Sequence, residues 1–305
     1  MLSFRHVSVV LSATIYSFFG ISFLSFSFLS LSLFGISTPA IGSEPLTTVN
    51  HVASSSPLTS HEKRIITLSP HLTELVFELG QGDHLVAVSE YSDYPKQAGM
   101  LPTVASYQGA NIAEIVRLKP THVLVWRGGN KDTDIARLHS LGLNIYESVI
   151  TNTEDLLNNI NAIAEFLDAQ QGVTALFDDI SNVITNTNRI DHKSLSVVYV
   201  LNQLPIIGLG NDKWLNQLLR QCKLQNIFDD TVSAFPQLRI DEIMRHQPRW
   251  IINATGTDNE TFKAAWQQHL GFMASKVISI DPDAMHRFSV RAIYETFSLC
   301  KRIHD

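Results

Sequence analysis

The sequence predicts an α/β protein of two lobes, with mainly parallel sheets and a ligand cleft between the lobes. Three observations carry this. Short β-branched runs alternate with helical periodicity, as βαβ units do. The alternation breaks once, over residues 153–190, where apolar residues recur at spacings of three and four with no strand signal. A helix-turn-strand segment also occurs twice, as NIAEIVRLKPTHVL from Asn111 and RIDEIMRHQPRWII from Arg239, 128 residues apart. At that offset Ile112, Glu114, Ile115, Arg117 and Pro120 face Ile240, Glu242, Ile243, Arg245 and Pro248, and Tyr107 faces Phe235.

Residues 1–42 hold one charged side chain, Arg5, and an apolar, Ser-rich run from Val7 to Ile36 that ends in small residues at Ala40 and Gly42. This is the pattern of a signal peptide cut after Gly42, although a run this long also admits retention as a membrane anchor. Residues 43–61 are polar and without period, and read as a flexible leader. Order begins with a strand at Arg64–Leu68. Ser69-Pro70 then opens a helix carrying Leu72, Leu75, Val76 and Leu79 as far as Gly80. The strand Leu85–Ser89, the loop EYSDYP, the first repeat helix near Ile112–Leu118 and the strand His122–Trp126 follow. RGGN, a helix near Asp132–Leu141 and a strand at Leu143–Ser148 complete the first lobe, residues 62–150. Residues 151–192 read as two bridging helices, the second the longer. The second lobe, 193–305, has the strand Leu195–Leu201, the helix Asp212–Cys222, the second repeat helix and the strand Arg249–Asn253. A helix at Glu260–Leu270, a strand at Lys276–Ile280 and a final helix at Val290–Ile303 end the chain.

A chain of 305 residues can bury two such cores. Its 45% hydrophobic and 17% charged residues are those of a globular protein. The net charge of -6, with no Lys/Arg cluster, argues against a nucleic-acid partner. Cys222 and Cys300 both lie in the part expected to be exported. An even pair in an oxidising compartment is a disulfide candidate, with two buried free thiols as the other reading.

Signatures of phosphate binding, nucleophilic catalysis and zinc are absent from the sequence, and its twelve histidines are scattered. RGGN is too short for a phosphate loop and lacks its lysine. The expectation is therefore a protein that is not an enzyme, with no metal and no cofactor of its own. Aromatic residues gather instead where strands end: Tyr91 and Tyr94 after Leu85–Ser89, Tyr107 before the first repeat helix, Trp126 at the end of its strand, and Phe235 as the counterpart of Tyr107. Each alone serves as readily for packing. Together, at one edge of two sheets, they suit an apolar cleft for a large flat ligand. Asp283, His286, Arg287 and Arg291 follow the last strand and offer polar contacts; for the two arginines, plain surface decoration at a helix start is the alternative. Glu114, Asp241 and Glu242 stand in the first turns of the repeat helices, where the macrodipole favours an acid in any case.

The segments RIITLSPHLTEL, VAVSEYSDYP, YQGANIAEIVRLKP, VLVWRGGN, LGLNIYE, NIF and FPQLRIDEI, with the Cys222/Cys300 pair, resemble in this order the periplasmic corrinoid-binding proteins of bacterial ABC importers. These belong to the wider family of metal-chelate binding proteins, and the resemblance runs from about Arg64 to the C-terminus. It implies two Rossmann-like lobes bridged by one long helix that move little on binding, in a periplasmic monomer. Cobalamin is the implied ligand; haem, a ferric siderophore or cobinamide is the alternative on the same fold. Tyr91, Tyr107, Trp126 and Phe235 would pack on the ligand, and Asp283 and Arg287 would contact its polar groups. The resemblance also implies one acid per lobe docking on the two permease subunits, here drawn from Glu114, Asp241 and Glu242. Three departures stand out. Tyr107 and Phe235 occupy positions where tryptophans are common. Ala284 and Met285 stand where an aromatic can occur, and Leu201 stands where the family has a phenylalanine. Counted from Tyr107 and Phe235, the family's glutamates fall on Ala113 and Asp241, one residue before Glu114 and Glu242.

Overall fold

The computed structural model describes residues 62–188, 193–270 and 276–304. The signal peptide and leader expected over residues 1–61 lie outside the described residues. No described helix is long and apolar enough to cross a membrane.

The first lobe is a six-stranded sheet. Its strands are β1 (Ile65–Thr67), β2 (Leu85–Ser89), β3 (Thr103–Ser106), β4 (Gly109–Ala110), β5 (His122–Trp126) and β6 (Ile145–Ser148), in the order β4-β3-β2-β1-β5-β6. Every pairing is parallel except β3 with β4. The helices α1 (Pro70–Glu78), α2 (Ile112–Arg117) and α3 (Asp132–Ser140) make the connections. Two helices, α4 (Thr153–Phe166) and α5 (Val173–Asn188), lead to the second lobe. There β7 (Leu195–Gln203), β8 (Ile206–Gly208), β9 (Leu224–Asn226), β10 (Trp250–Asn253) and β11 (Val277–Ser279) form the order β11-β10-β7-β8. Strand β9 pairs in parallel with the first half of β7, and β8 runs antiparallel to its second half. The remaining helices are α6 (Lys213–Gln221), α7 (Ile240–His246), α8 (Asn259–Leu270), α9 (Pro282–Met285) and α10 (Val290–His304).

Local chemistry sets several of the helix starts. Pro70 occupies the first turn of α1, where its missing N–H costs nothing. The side chains of Asn111, Asn152 and Asp212 accept hydrogen bonds from the third residues of α2, α4 and α6, satisfying donors that a helix cannot. Both sheets are covered on both faces, so their strands are nearly all apolar and neighbouring residues go to different cores. Ile65 joins a central core while Ile66 joins an outer one, and Val197 and Tyr199 alternate in the same way with Val198 and Val200. The central core is continuous from α1 through α4 and α5 to α6 and α10, so it belongs to both lobes. A disulfide between Cys222 and Cys300 ties the end of α6 to α10, with both residues fully buried. It closes a separation of 78 residues. Chain entropy puts that constraint at about 4.5 kcal/mol.

The repeat is structural. Helices α2 and α7 both start on the aligned isoleucines, and seven consecutive positions, 111–117 and 239–245, share one pattern of exposure. Ile115 and Ile243 are fully buried, and Val116 and Met244 are each 43% exposed. The outward position in the first turn is Ala113 in one helix and Asp241 in the other; Glu114 and Glu242 are half-buried.

Charge also crosses the lobe junction. Glu74, on α1, is 2% exposed. Its Oε1 accepts hydrogen bonds from Arg287 Nη1 at 2.8 Å and Arg291 Nη1 at 2.9 Å, both from the second lobe. Arg287 Nη2 also donates to Asp93 at 2.8 Å, Arg291 Nη2 to Asp281 at 3.3 Å, and the Arg291 guanidinium sits 3.9 Å from the centre of the Tyr94 ring. One turn before Glu74, buried His71 packs edge-on against Trp126 at 5.2 Å and against Phe288 of the second lobe at 5.6 Å. Burial, and secondarily the charge of Arg287, pull the His71 pKa down to about 3.

That depression fixes a pH dependence. The unfolded histidine takes a proton below about pH 6.5, but the folded one does not until about pH 3. Stability contributed by neutral His71 is therefore fully present above pH 6.5 and is lost as the pH falls toward 3. About 2 kcal/mol should disappear between pH 7 and pH 5. Urea unfolding at the two pH values should show this share of the loss in the native chain and not in His71→Gln. Equal losses in both would contradict a neutral His71.

Candidate functional site

The C-terminal ends of β1, β2, β3 and β5 come together on the first lobe, the edge at which open parallel sheets bind ligands. Leu68, Ser89, Ser106 and Trp126 mark those ends, and they line a recess of about 240 Å³ together with Tyr91 and Tyr107. Three of the predicted aromatic residues therefore share one concave surface.

Each is presented by a different device. Trp126 is the last residue of β5, and its side chain continues the central-core face of that strand. The loop after it folds tightly against it. Asn130 Oδ1 accepts from the Trp126 backbone N–H at 2.7 Å, and Asn130 Nδ2 donates to the Leu68 carbonyl at 2.7 Å. One side chain thus ties the ends of β5 and β1 to each other. Gly128 has φ +100°, a conformation that glycine reaches without strain. Gly129 lies under the indole, where an added Cβ would stand 1.8 Å from a ring carbon. Tyr107 is at the tip of the β3–β4 hairpin and is 83% exposed. Tyr91 is 73% exposed and holds φ +62°, uncommon for a bulky residue. Beneath it runs a buried hydroxyl chain: Ser89 with Ser92 at 3.0 Å, Ser92 with Thr73 at 3.0 Å, and Thr73 with Thr67 at 2.7 Å. This chain holds the turn that carries Tyr91.

The other predicted residues lie apart from the recess lining. Phe235 is 49% exposed on a loop that runs beside β8, held by bonds from Gly210 N–H to the Ala234 carbonyl at 2.8 Å and from Leu238 N–H to the Ile206 carbonyl at 2.9 Å. Asp283 is exposed on α9. Arg287 is committed to Glu74 and Asp93. His286 bonds Tyr199 Oη at 2.8 Å, and burial lowers its pKa against the opposing pull of Asp283, Asp212 and Asp281. Two of the three predicted acids of the repeat helices are already paired. Glu114 Oε2 accepts from Arg117 Nε at 2.8 Å, while Asp241 pairs with Arg239 at 3.0 Å and Arg245 at 3.3 Å. Sequence reasoning passed over Asn130 and Glu74. RGGN enters the reading as a segment too short for a phosphate loop and as part of the resemblance, neither of which assigns Asn130 a role, and an acid inside the apolar pattern of α1 gives no sign of partners more than two hundred residues away.

Among the residues lining the recess, the only formal charge is on Glu90; none is Lys or Arg. The surface is apolar and aromatic, with hydroxyls and one amide at its floor. It can hold a flat, uncharged ring. Ser69 Oγ, on its lining, contacts His71 Nδ1 at 3.2 Å, and both residues are buried. Gly129→Ala should turn the Trp126 indole out of its place. The expected result is a shifted tryptophan emission with unchanged circular dichroism, and no such shift in a Trp126→Phe background. Unshifted emission would mean that Gly129 does not set the indole.

A family described as Periplasmic binding protein matches residues 65–275. The vitamin B12-binding protein of Vibrio cholerae is 33% identical over 242 residues, covering 78% of this chain and 88% of that protein. The vitamin B12-binding protein of Photorhabdus laumondii is 30% identical over 265 residues, covering 85% and 93%. In solved structures, the periplasmic vitamin B12-binding protein of Vibrio cholerae superposes with a TM-score of 0.68 at 30% identity, covering 79% of this chain and 96% of its own. The periplasmic heme-binding protein of the same organism has a TM-score of 0.69 at 19% identity, and so shares the fold. With a match over most of its length, the chain belongs to the periplasmic binding protein family.

Proposed function

We propose that the chain captures cobalamin in the periplasm and delivers it to the permease of an ABC importer. The observation that carries this reading is the match at 33% identity, over 78% of this chain and 88% of the other, to a vitamin B12-binding protein. The geometry supports it. Tyr91, Tyr107 and Trp126 form a preorganised aromatic surface, and binding to a surface already in place avoids the ordering cost of assembling it. Phe235, Asp283 and Arg287 supply the second-lobe side of the cleft in this reading. Cobalamin is cargo here, and the chain acts as a monomer without a cofactor of its own. Residues 1–42 serve as the export signal. The electrostatics favour cobalamin over haem. A corrin is fringed by neutral amides, whereas haem carries carboxylates, and the recess lining offers those no cation.

Delivery requires docking on a permease with two related halves. The α2 and α7 faces, alike in exposure, are the surfaces proposed for it. Separated charged groups steer and orient such transient complexes. Asp241, outward-facing on α7, is the acid best placed on the second lobe; its counterpart is Ala113, so Glu114 or a neighbour must serve on the first.

Titration with cyanocobalamin, followed by quenching of tryptophan fluorescence, should give saturable binding at or below micromolar ligand; no binding at that concentration would overturn the assignment. In cells, Glu114→Arg combined with Asp241→Arg should impair cobalamin uptake while the purified variant keeps the affinity of the parent. Lost affinity would place these acids in the fold or the site instead.

A further inference from the structure

Resting on the cobalamin reading, we propose that Glu74 sets the charge class of ligand that the cleft accepts. By neutralising Arg287 and Arg291, it excludes carboxylate-fringed macrocycles and leaves amide-fringed ones favoured.

No residue of the cluster lines the recess, but the cluster adjoins it. Asp93 follows Tyr91 by two residues, and Phe288, next to Arg287, has its ring 5.7 Å from that of Trp126. Two guanidiniums therefore lie beside the aromatic surface, and on their own they would form a bidentate carboxylate receptor. They are not free to act as one. Glu74 Oε1 takes an N–H from each, Asp93 takes a second from Arg287, and Asp281 takes a second from Arg291. Three carboxylates thus stand against two guanidiniums, an excess of one negative charge. The arginine side chains are only 11% and 16% exposed, so an incoming anion would have to displace a carboxylate already paired with them. Glu74 Oε2 accepts no hydrogen bond. Glu90 on the recess wall adds to the same sign.

A carboxylate-bearing chelate meets repulsion here, and a neutral amide-bearing one does not. Glu74 is the keystone because, among the described residues, it alone pairs with both arginines. Removing one unit charge about 10 Å from a bound carboxylate, at an effective dielectric of about 20, is worth roughly tenfold in affinity.

The test titrates hemin and cyanocobalamin separately into the native chain, Glu74→Gln, Asp93→Asn and the double variant, at low and high salt. The expected result is a hemin-to-cobalamin affinity ratio that rises about tenfold for each charge removed. The gain should shrink at high salt, since it comes from charge and not from shape. A ratio that stays flat across folded variants overturns the proposal and leaves the cobalamin reading intact. A native chain that fails to bind cyanocobalamin overturns that reading, while the hemin series still reports on the charge gate. Should Glu74→Gln fail to fold, Asp93→Asn carries the test alone. It lies at a side chain 61% exposed and frees one edge of Arg287; an unchanged hemin affinity there refutes the gate.

Discussion

The buried carboxylate of Glu74 is the point on which the two lobes depend for their relative position. An ion pair of this depth contributes little net stability over a well-packed apolar replacement, because desolvating three charges offsets most of their attraction. What it contributes is geometry. A planar guanidinium meets a carboxylate at short range in few orientations, and here two of them meet one oxygen. With Arg287 also bound to Asp93, and Arg291 to Asp281 and the Tyr94 ring, α1 and the start of α10 have almost no freedom to slide. Taking away Glu74 leaves two buried arginines without the carboxylate they share.

The aromatic wall follows from that registration. His71, one turn before Glu74, can lie between Trp126 and Phe288 only if α1 and the second lobe are held at this distance. The contacts then continue from Trp126 to Phe288 and from Phe288 to Trp214 on α6 at 5.2 Å. A residue of the recess is thus packed, through one intermediary ring, against the core of the opposite lobe. The neutral state of His71 belongs to the same arrangement, since a second positive charge next to Arg287 in a dry junction would be repelled. The central core, shared by both lobes, resists large motion for the same reason.

Periodicity was enough to locate the long elements. The strand at Leu195, the α10 stretch and both repeat helices were legible because apolar spacing reports burial directly. Four short strands were not. Strands β3 and β4 together hold six residues, and β8 and β9 three each, too few for a period to show. They exist because a neighbouring strand offers its edge. The aromatic residues of the first lobe could be gathered from their positions at strand ends. The pairing of Glu74 with Arg287 could not, since a charge partner leaves no local trace in the chain. Cys222 and Cys300 were the exception, because chemistry allows two exported cysteines few fates, and they are bonded.

The repeat divides backbone from chemistry. Seven positions in α2 and α7 match in exposure, yet the side chains at the outward site are alanine in one lobe and aspartate in the other. Burial constrains what faces inward, so Ile115 and Ile243 are identical. Nothing in the folding of either lobe constrains the outward position. Each lobe has answered the same freedom differently, with a Glu114–Arg117 pair in one and Asp241 between Arg239 and Arg245 in the other. These exposed pairs are too weak to matter to the fold. Their difference makes the two helix faces electrostatically unlike on frames that are alike.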